Sequence, residues 1–247
     1  MRLANRLSFA AWLLAGALPL ALPARAAEAL EIAAPDNRAF APAVLSVLQQ
    51  AYGKLGVTVT MRTVPLRRGM PMASMGELDG DMAHTAASLK EWPDLVVVKV
   101  PVARAVFSAY LRAPTCPAQV SRAELGASRV AYMRGTRAVE EVLPAAALRE
   151  TTNNLDALRH VQRGFTSYAV VGQMEADALI IRNAMLDLCK VPEPVVVTEL
   201  YHSLNPRHAQ LAARVERVLQ EMAEQGELKR IWTQETQRSQ KALLDAP

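Results

Sequence analysis

The chain has 247 residues, 28 Lys and Arg against 24 Asp and Glu, and a formal net charge of +4. Three of the basic residues, Arg2, Arg6 and Arg25, fall in the first 26 residues, which hold no acid, so loss of that segment leaves 25 basic against 24 acidic residues and a net charge near +1. No basic block of the kind that nucleic-acid binding requires is present, which excludes nucleic acid as a partner class.

Residues 1–26 have the pattern of a secretory signal peptide: a positive start at Arg2 and Arg6, an apolar core over 7–22, and a small-x-small cleavage site at Ala24-Arg25-Ala26. The apolar run is short for a bilayer span and contains Pro19; a retained anchor is the alternative. No Cys directly follows it, so no lipid attachment is indicated, and the expected location is the periplasm. The remaining residues, about 220, are enough for a full core as one large domain or two modest ones. Two Cys remain, Cys116 and Cys189. In an exported protein such a pair is a disulfide candidate; two unpaired buried thiols are the alternative.

Residues 30–34 form a short strand that breaks at Pro35-Asp36-Asn37-Arg38. From Pro42 the apolar residues Val44, Leu45, Leu48, Ala51, Tyr52 and Leu55 fall at helical spacing, and Gly56 closes that helix. Residues 57–63 alternate and are β-branched, which predicts the next strand. Pro65-Leu66-Arg67-Arg68-Gly69 and a short Met-containing helix lead to Gly76-Glu77-Leu78-Asp79-Gly80. Then comes a brief apolar run that stops at His84, Thr85, Ala87 and Ser88. That profile suits a buried strand whose carboxyl end opens into a crevice, where α/β sheets bind ligands. Strands over 94–100 and 105–111 follow, interrupted after Val100 by Pro101.

A second run begins with a strand over 129–133, the turn Arg134-Gly135-Thr136 and a helix over 137–147. A strand over 148–151, a helix over 154–163, a strand over 168–171 and a helix over 174–186 continue it. Pro192 and Pro194 precede a strand over 195–200, and helices over 206–224 and 227–238 end the chain. Repeated β-α-β units predict largely parallel sheets with helices on their faces. Two such units joined by extended, Pro-flanked crossings predict two lobes. The Cys pair lies at the edges of the second lobe, where its pairing is geometrically sensible.

Taken together, Pro65-Leu66-Arg67, Gly76 to Gly80, Arg129 to Thr136, Leu158 to Gly164, and 211–232 with Gly226 resemble the bacterial extracellular solute-binding proteins of family 3. The resemblance implies their type II periplasmic-binding fold, with crossings near 103–112 and 192–200. It gives the expected division: signal peptide 1–26, first lobe 27–104, second lobe 105–199, and a return to the first lobe with C-terminal helices over 200–247. Members that bind amino acids hold the carboxylate with an Arg after the opening strand and the amino group with an Asp at the end of a late strand. Here those segments read Ala86 to Trp92, with Lys90 and no Arg, and Val171-Gly172-Gln173. Both halves of that clamp are altered, which points away from an ordinary α-amino acid.

The ligand-binding candidates are Asp36, Asn37, Arg67, His84 and Thr85 from the first lobe, with Arg134, Gly135, Thr136, Asn153 and Gln173 from the second. Gly135-Thr136 opens a helix whose free N–H groups suit an anion, and Arg67 and Arg134 are expected to meet there across the closed cleft, with Arg137 solvated. The competing explanations are ordinary: Asn37 and Asn153 equally suit turns and caps, and His84 equally suits packing. The four His show no metal-ligand spacing and no nucleophile elbow is present, so neither metal nor cofactor is expected. The expected function is therefore a monomeric, non-enzymatic periplasmic protein that traps a small polar, anionic solute. It would deliver that solute to an inner-membrane ABC permease or a sensor. The alternative is an enzyme of dehydratase type, for which Asp36 and His84 are the acid–base candidates, or an accessory of a periplasmic dehydrogenase.

Overall fold

Alternating β-branched residues and Gly-closed helices give the chain its first three strands, which pair in parallel. The computed structural model describes residues 28–245; the expected signal peptide lies outside them. Strand β1 (Ala29–Ala34) is flanked by β2 (Thr58–Thr63) and β3 (Gly80–His84), with helices α1 (Phe40–Gly53), α2 (Gly69–Ser74) and α3 (Ala86–Lys90) between and after them. Strand β4 (Val96–Arg112) crosses to the second half: α4 (Arg122–Gly126), β5 (Val130–Met133), α5 (Arg137–Glu140), β6 (Leu148–Thr151), α6 (Asn154–Gln162), β7 (Tyr168–Gly172) and α7 (Gln173–Arg182). Then β8 (Leu188–Lys190) pairs with β4, and β9 (Val196–Leu204) returns to α8 (Ala209–Glu224) and α9 (Glu227–Asp245).

The sheet order is β2-β1-β3-β9-β4-β7-β5-β6. Three parallel strands stand at each end, β2-β1-β3 and β7-β5-β6, and the two crossing strands pair antiparallel in the middle. Gly80 is required where β3 meets β9, because a Cβ there would lie 2.4 Å from the Ser203 carbonyl oxygen. The apolar faces make separate cores. One draws on residues 30–103 and 200–231, including Ile32, Leu48, Tyr52, Met82 and Leu219. Two more lie within 109–195, around Leu158, Val171, Leu125 and Tyr132. The molecule is thus the expected α/β protein of two lobes.

Several element bounds differ from expectation for local reasons. The helix predicted over 137–147 ends at Glu140, because Pro144 cannot donate to the Glu140 carbonyl and its ring crowds it. The helix predicted to Leu186 ends at Arg182, and Ala184 turns the chain with φ 50°. The two strands predicted over 94–111 are one, β4, which passes through Pro101 where its pairing with β9 shifts register. Helices α3 and α4 and the three-residue β8 were not anticipated, and α9 runs on to Asp245. Cys116 and Cys189 form a disulfide with their Cα atoms 5.7 Å apart. No helix among the described residues is long and apolar enough to cross a membrane.

Candidate functional site

The carboxyl ends of β1 and β3 face the starts of α5, α6 and α7 across a cavity of about 340 Å³. Its floor is the crossing pair, with Arg104, Ala105, Val106 and Phe107 from β4 and Leu200 from β9. Helix α9, which packs on both α1 and α7, closes one side with Trp232, Thr236 and Gln240. Six of the sequence candidates line this space: Asn37, His84, Thr85, Gly135, Thr136 and Gln173.

The other candidates lie elsewhere. Asp36, Arg67 and Arg134 line a second cavity of about 290 Å³, which shares Pro35, Leu66 and Met133 with the first. Gly135 seals the partition: its φ of 84° suits glycine, and a Cβ would approach Arg67 Cγ to 2.9 Å. Asn153 lines neither cavity. Its Oδ1 accepts from the Asp156 N–H as the cap of α6, and the cavity takes the neighbouring Asn154 instead. Asn37 lines the cavity yet spends its Oδ1 on the N–H groups of Ala39 and Phe40, at the start of α1.

Arg67 and Arg134 do meet across the cleft, but on carboxylates of the protein. Arg67 donates to Glu140 at 2.9 Å and to Glu150 at 3.0 Å, and Arg134 donates to Glu150 at 2.5 Å. The Glu140 side chain is largely buried; burial raises its pKa, but the contacts with Arg67 and Tyr132 outweigh this and hold it below the ordinary carboxylate range. Helix α5 has four residues, and the Thr136 N–H is already bonded to the Met133 carbonyl. The turn therefore offers less to an anion than expected. Arg137, expected to be solvated, lines the main cavity and pairs with Glu91 and Glu140.

The pairs of Arg67 with Glu140 and Glu150 and of Arg137 with Glu91, with Thr85 Oγ1 donating to Glu141 at 2.9 Å, bridge the lobes. Arg67 is half exposed, so each pair contributes modestly and is weakened by salt. Replacing Glu140 with Ala is expected to open the ligand-free cleft, seen as a larger radius of gyration in small-angle scattering. The wild type at high salt should move the same way. An unchanged radius in both would mean that the lobes are held by other contacts.

Behind the first-lobe wall lies a buried polar chain. Asp81 Oδ1 is 3.0 Å from His84 Nε2, and both side chains are buried. Burial alone would depress the His84 imidazole, but the Asp81 carboxylate carries its pKa above the ordinary value. The fully buried His202 donates through Nδ1 to the Asp81 carbonyl at 2.7 Å, which leaves Nε2 to accept from the Tyr52 hydroxyl at 2.9 Å. Burial lowers its pKa to about 4.

Cavity residues that the sequence reading missed include Arg104, Phe107, Asn154, Glu175, Asp177, Lys190 and Trp232. For Glu175 a signal existed, since it is an acid in the first turn of a helix that follows a strand end. Its Oε2 accepts from Asn154 Nδ2 at 2.7 Å. Burial raises its pKa above the ordinary value. Among the described residues, no group of three or more His, Cys, Asp and Glu gathers as a metal would need.

No protein-family model and no curated protein matches the sequence. Solved structures do. A histidine kinase sensor domain with similarity to periplasmic binding proteins superposes with a TM-score of 0.71 at 18% identity, over 85% of this chain and 97% of that one. The GluR0 ligand-binding core in complex with L-glutamate gives 0.72 at 16% identity, over 85% and 99%. AncCDT-1, an ancestral amino acid-binding protein and precursor of cyclohexadienyl dehydratase, gives 0.63 at 19% identity, over 83% and 94%. At such identities the likeness is one of fold, and the chain has the two-lobed fold of periplasmic binding proteins.

Proposed function

We propose that the protein is a periplasmic solute-binding protein, monomeric and without a catalytic role. It captures a small polar solute between a first lobe of residues 27–104 and 200–247 and a second lobe of residues 105–199. The captured solute is then handed to a membrane transporter or a sensor. The observation that carries this reading is the cavity of about 340 Å³ walled by both lobes on the crossing strands. Contacts from both walls are complete only when the cleft is shut, so a ligand there favours closure. The likeness to a sensor domain and to a glutamate-binding core adds support for the class. An anionic solute has lost its motive, since Glu140 and Glu150 already neutralise Arg67 and Arg134. A second reading, an enzyme on this scaffold, draws on the dehydratase precursor and on the Asp81–His84 pair at the cavity wall.

A thermal-shift screen of amino acids, organic acids, polyols and organic ammonium compounds tests the reading. A true ligand at a hundredfold over its Kd stabilises the protein by about 2.7 kcal/mol. Scattering should show compaction with the same compound, and mass spectrometry should recover it unchanged. Common α-amino acids are expected to bind no tighter than about micromolar, because Gln173 and Lys90 stand where the clamp residues would be. No shift and no compaction with any class would refute the binding role, and a converted compound would establish the enzyme.

A further inference from the structure

Each charged side chain of the main cavity except two is matched by an opposite charge. Asp177 takes Lys190 at 2.6 Å, Arg137 takes Glu91 and Glu140, and His84 takes Asp81. The two left over are Arg104 and Glu175, which form no ion pair among the described residues. Arg104 is exposed and lies opposite Glu199 in the β4–β9 ladder, so water screens it. Glu175 is half-buried, and among the described residues its hydrogen-bond partner is the neutral amide of Asn154. A carboxylate partly withdrawn from water with no direct ion pair, and only the exposed Arg38 acting on it from a distance, is unfavourable, and a cation delivered by a ligand relieves it.

The surrounding wall suits a particular kind of cation. Phe40, Phe107 and Trp232 line the same cavity, and each is half-buried, with surface left for a ligand. Phe40 and Trp232 meet edge to face with centroids 5.9 Å apart. The Phe107 ring approaches within 3.8 Å of where a Gly172 Cβ would stand, three residues before Glu175. Aromatic rings beside a carboxylate attract a substituted ammonium group, whose alkyl shell is cheap to dehydrate and whose charge favours the π-faces. We propose that the cavity takes an organic cation, with a substituted ammonium group seated against Glu175 among Phe40, Phe107 and Trp232. This rests on the solute-binding role proposed above.

Binding requires the ionised carboxylate. Burial favours the protonated form, and Asp36 adds to that while Arg38 opposes it, both from the β1–α1 connection. The remaining charges around the cavity are the Asp177–Lys190 pair beside α7, His84 with Asp81 from β3, Arg137 with its acids from α5, and Arg104 from β4. Affinity for a cation with no proton of its own is therefore expected to fall as pH drops through the raised Glu175 pKa.

Choline and its uncharged isostere 3,3-dimethylbutan-1-ol separate charge from shape. Titration calorimetry of the purified protein near pH 8 is expected to favour choline by about tenfold or more. The preference should shrink as pH is lowered. Glu175→Gln is expected to abolish the preference by weakening choline. Equal affinities for the two compounds, no choline binding at millimolar concentration, or a preference that survives Glu175→Gln would overturn the inference. The comparison on the unaltered chain stands even if the variant fails to fold. A compound from the thermal-shift screen that binds wild type and Glu175→Gln alike would overturn it too, and would leave the solute-binding role intact.

Discussion

Replacing both Cys116 and Cys189 with Ala is expected to destabilise the protein by about 4 kcal/mol, since the bridge closes a loop of 73 residues. For a chain of this size that corresponds to a fall of roughly 10 °C or more in melting temperature. The effect is also local to the site. Cys189 lies in β8 between Leu188 and Lys190, and this short strand is held on the edge of β4. Lys190 in turn neutralises Asp177 in the cavity wall, and Tyr110 donates to the same carboxylate at 2.9 Å. Loss of the bridge should therefore weaken ligand binding along with stability. A double variant that melts within about 2 °C of wild type would mean that β8 is held by its ladder alone.

The second large effect comes from His202. Its folded pKa, about 4, lies below the ordinary value of 6.5 because burial opposes the charged ring. A depressed His contributes stability that is complete above the unfolded pKa and is lost as pH falls towards the folded one. Between about pH 6.5 and 4 the loss from this group is about 3 kcal/mol. His84 acts in the other direction. Its raised pKa makes its contribution complete below about 6.5, and that contribution is lost on the alkaline side. Denaturant unfolding at a series of pH values should show the acid-side slope. The ring resonances of His202 should remain those of the neutral form down to about pH 4. A midpoint near 6.5 in those resonances, or no acid-side slope, would contradict the buried neutral ring bonded to Tyr52 and Asp81.

Much of the architecture is legible in the residues themselves. The β-branched alternation over 57–63 marks β2, and Gly56, Gly164 and Gly226 have the positive φ that the ends of helices call for. The Cys pair also behaves as its position at the lobe edges suggested. The misses have physical causes. Pro144 ends α5 four residues upstream of itself, a reach that apolar spacing does not register. The cavity is harder to foresee because its walls include faces of α7 and α9, and which face a helix turns inward is decided by distant partners. Glu175 and Trp232 enter the site that way. Arg134 and Arg137 exchange their expected roles: Arg137, the first residue of α5, lines the main cavity, and Arg134, three residues upstream, lines the second.

Strands β4 and β9 are bonded to each other from Ala103–Leu200 to Phe107–Val196 without a break, while the register slips on either side of Pro101. The paired run carries Arg104 to Phe107 and Leu200 of the cavity floor, so the two crossings are tied together where they pass between the lobes. In the solute-binding role proposed above, a solute arriving at an open cleft is then expected to meet the same floor that it will rest on after closure, with only the walls having to travel.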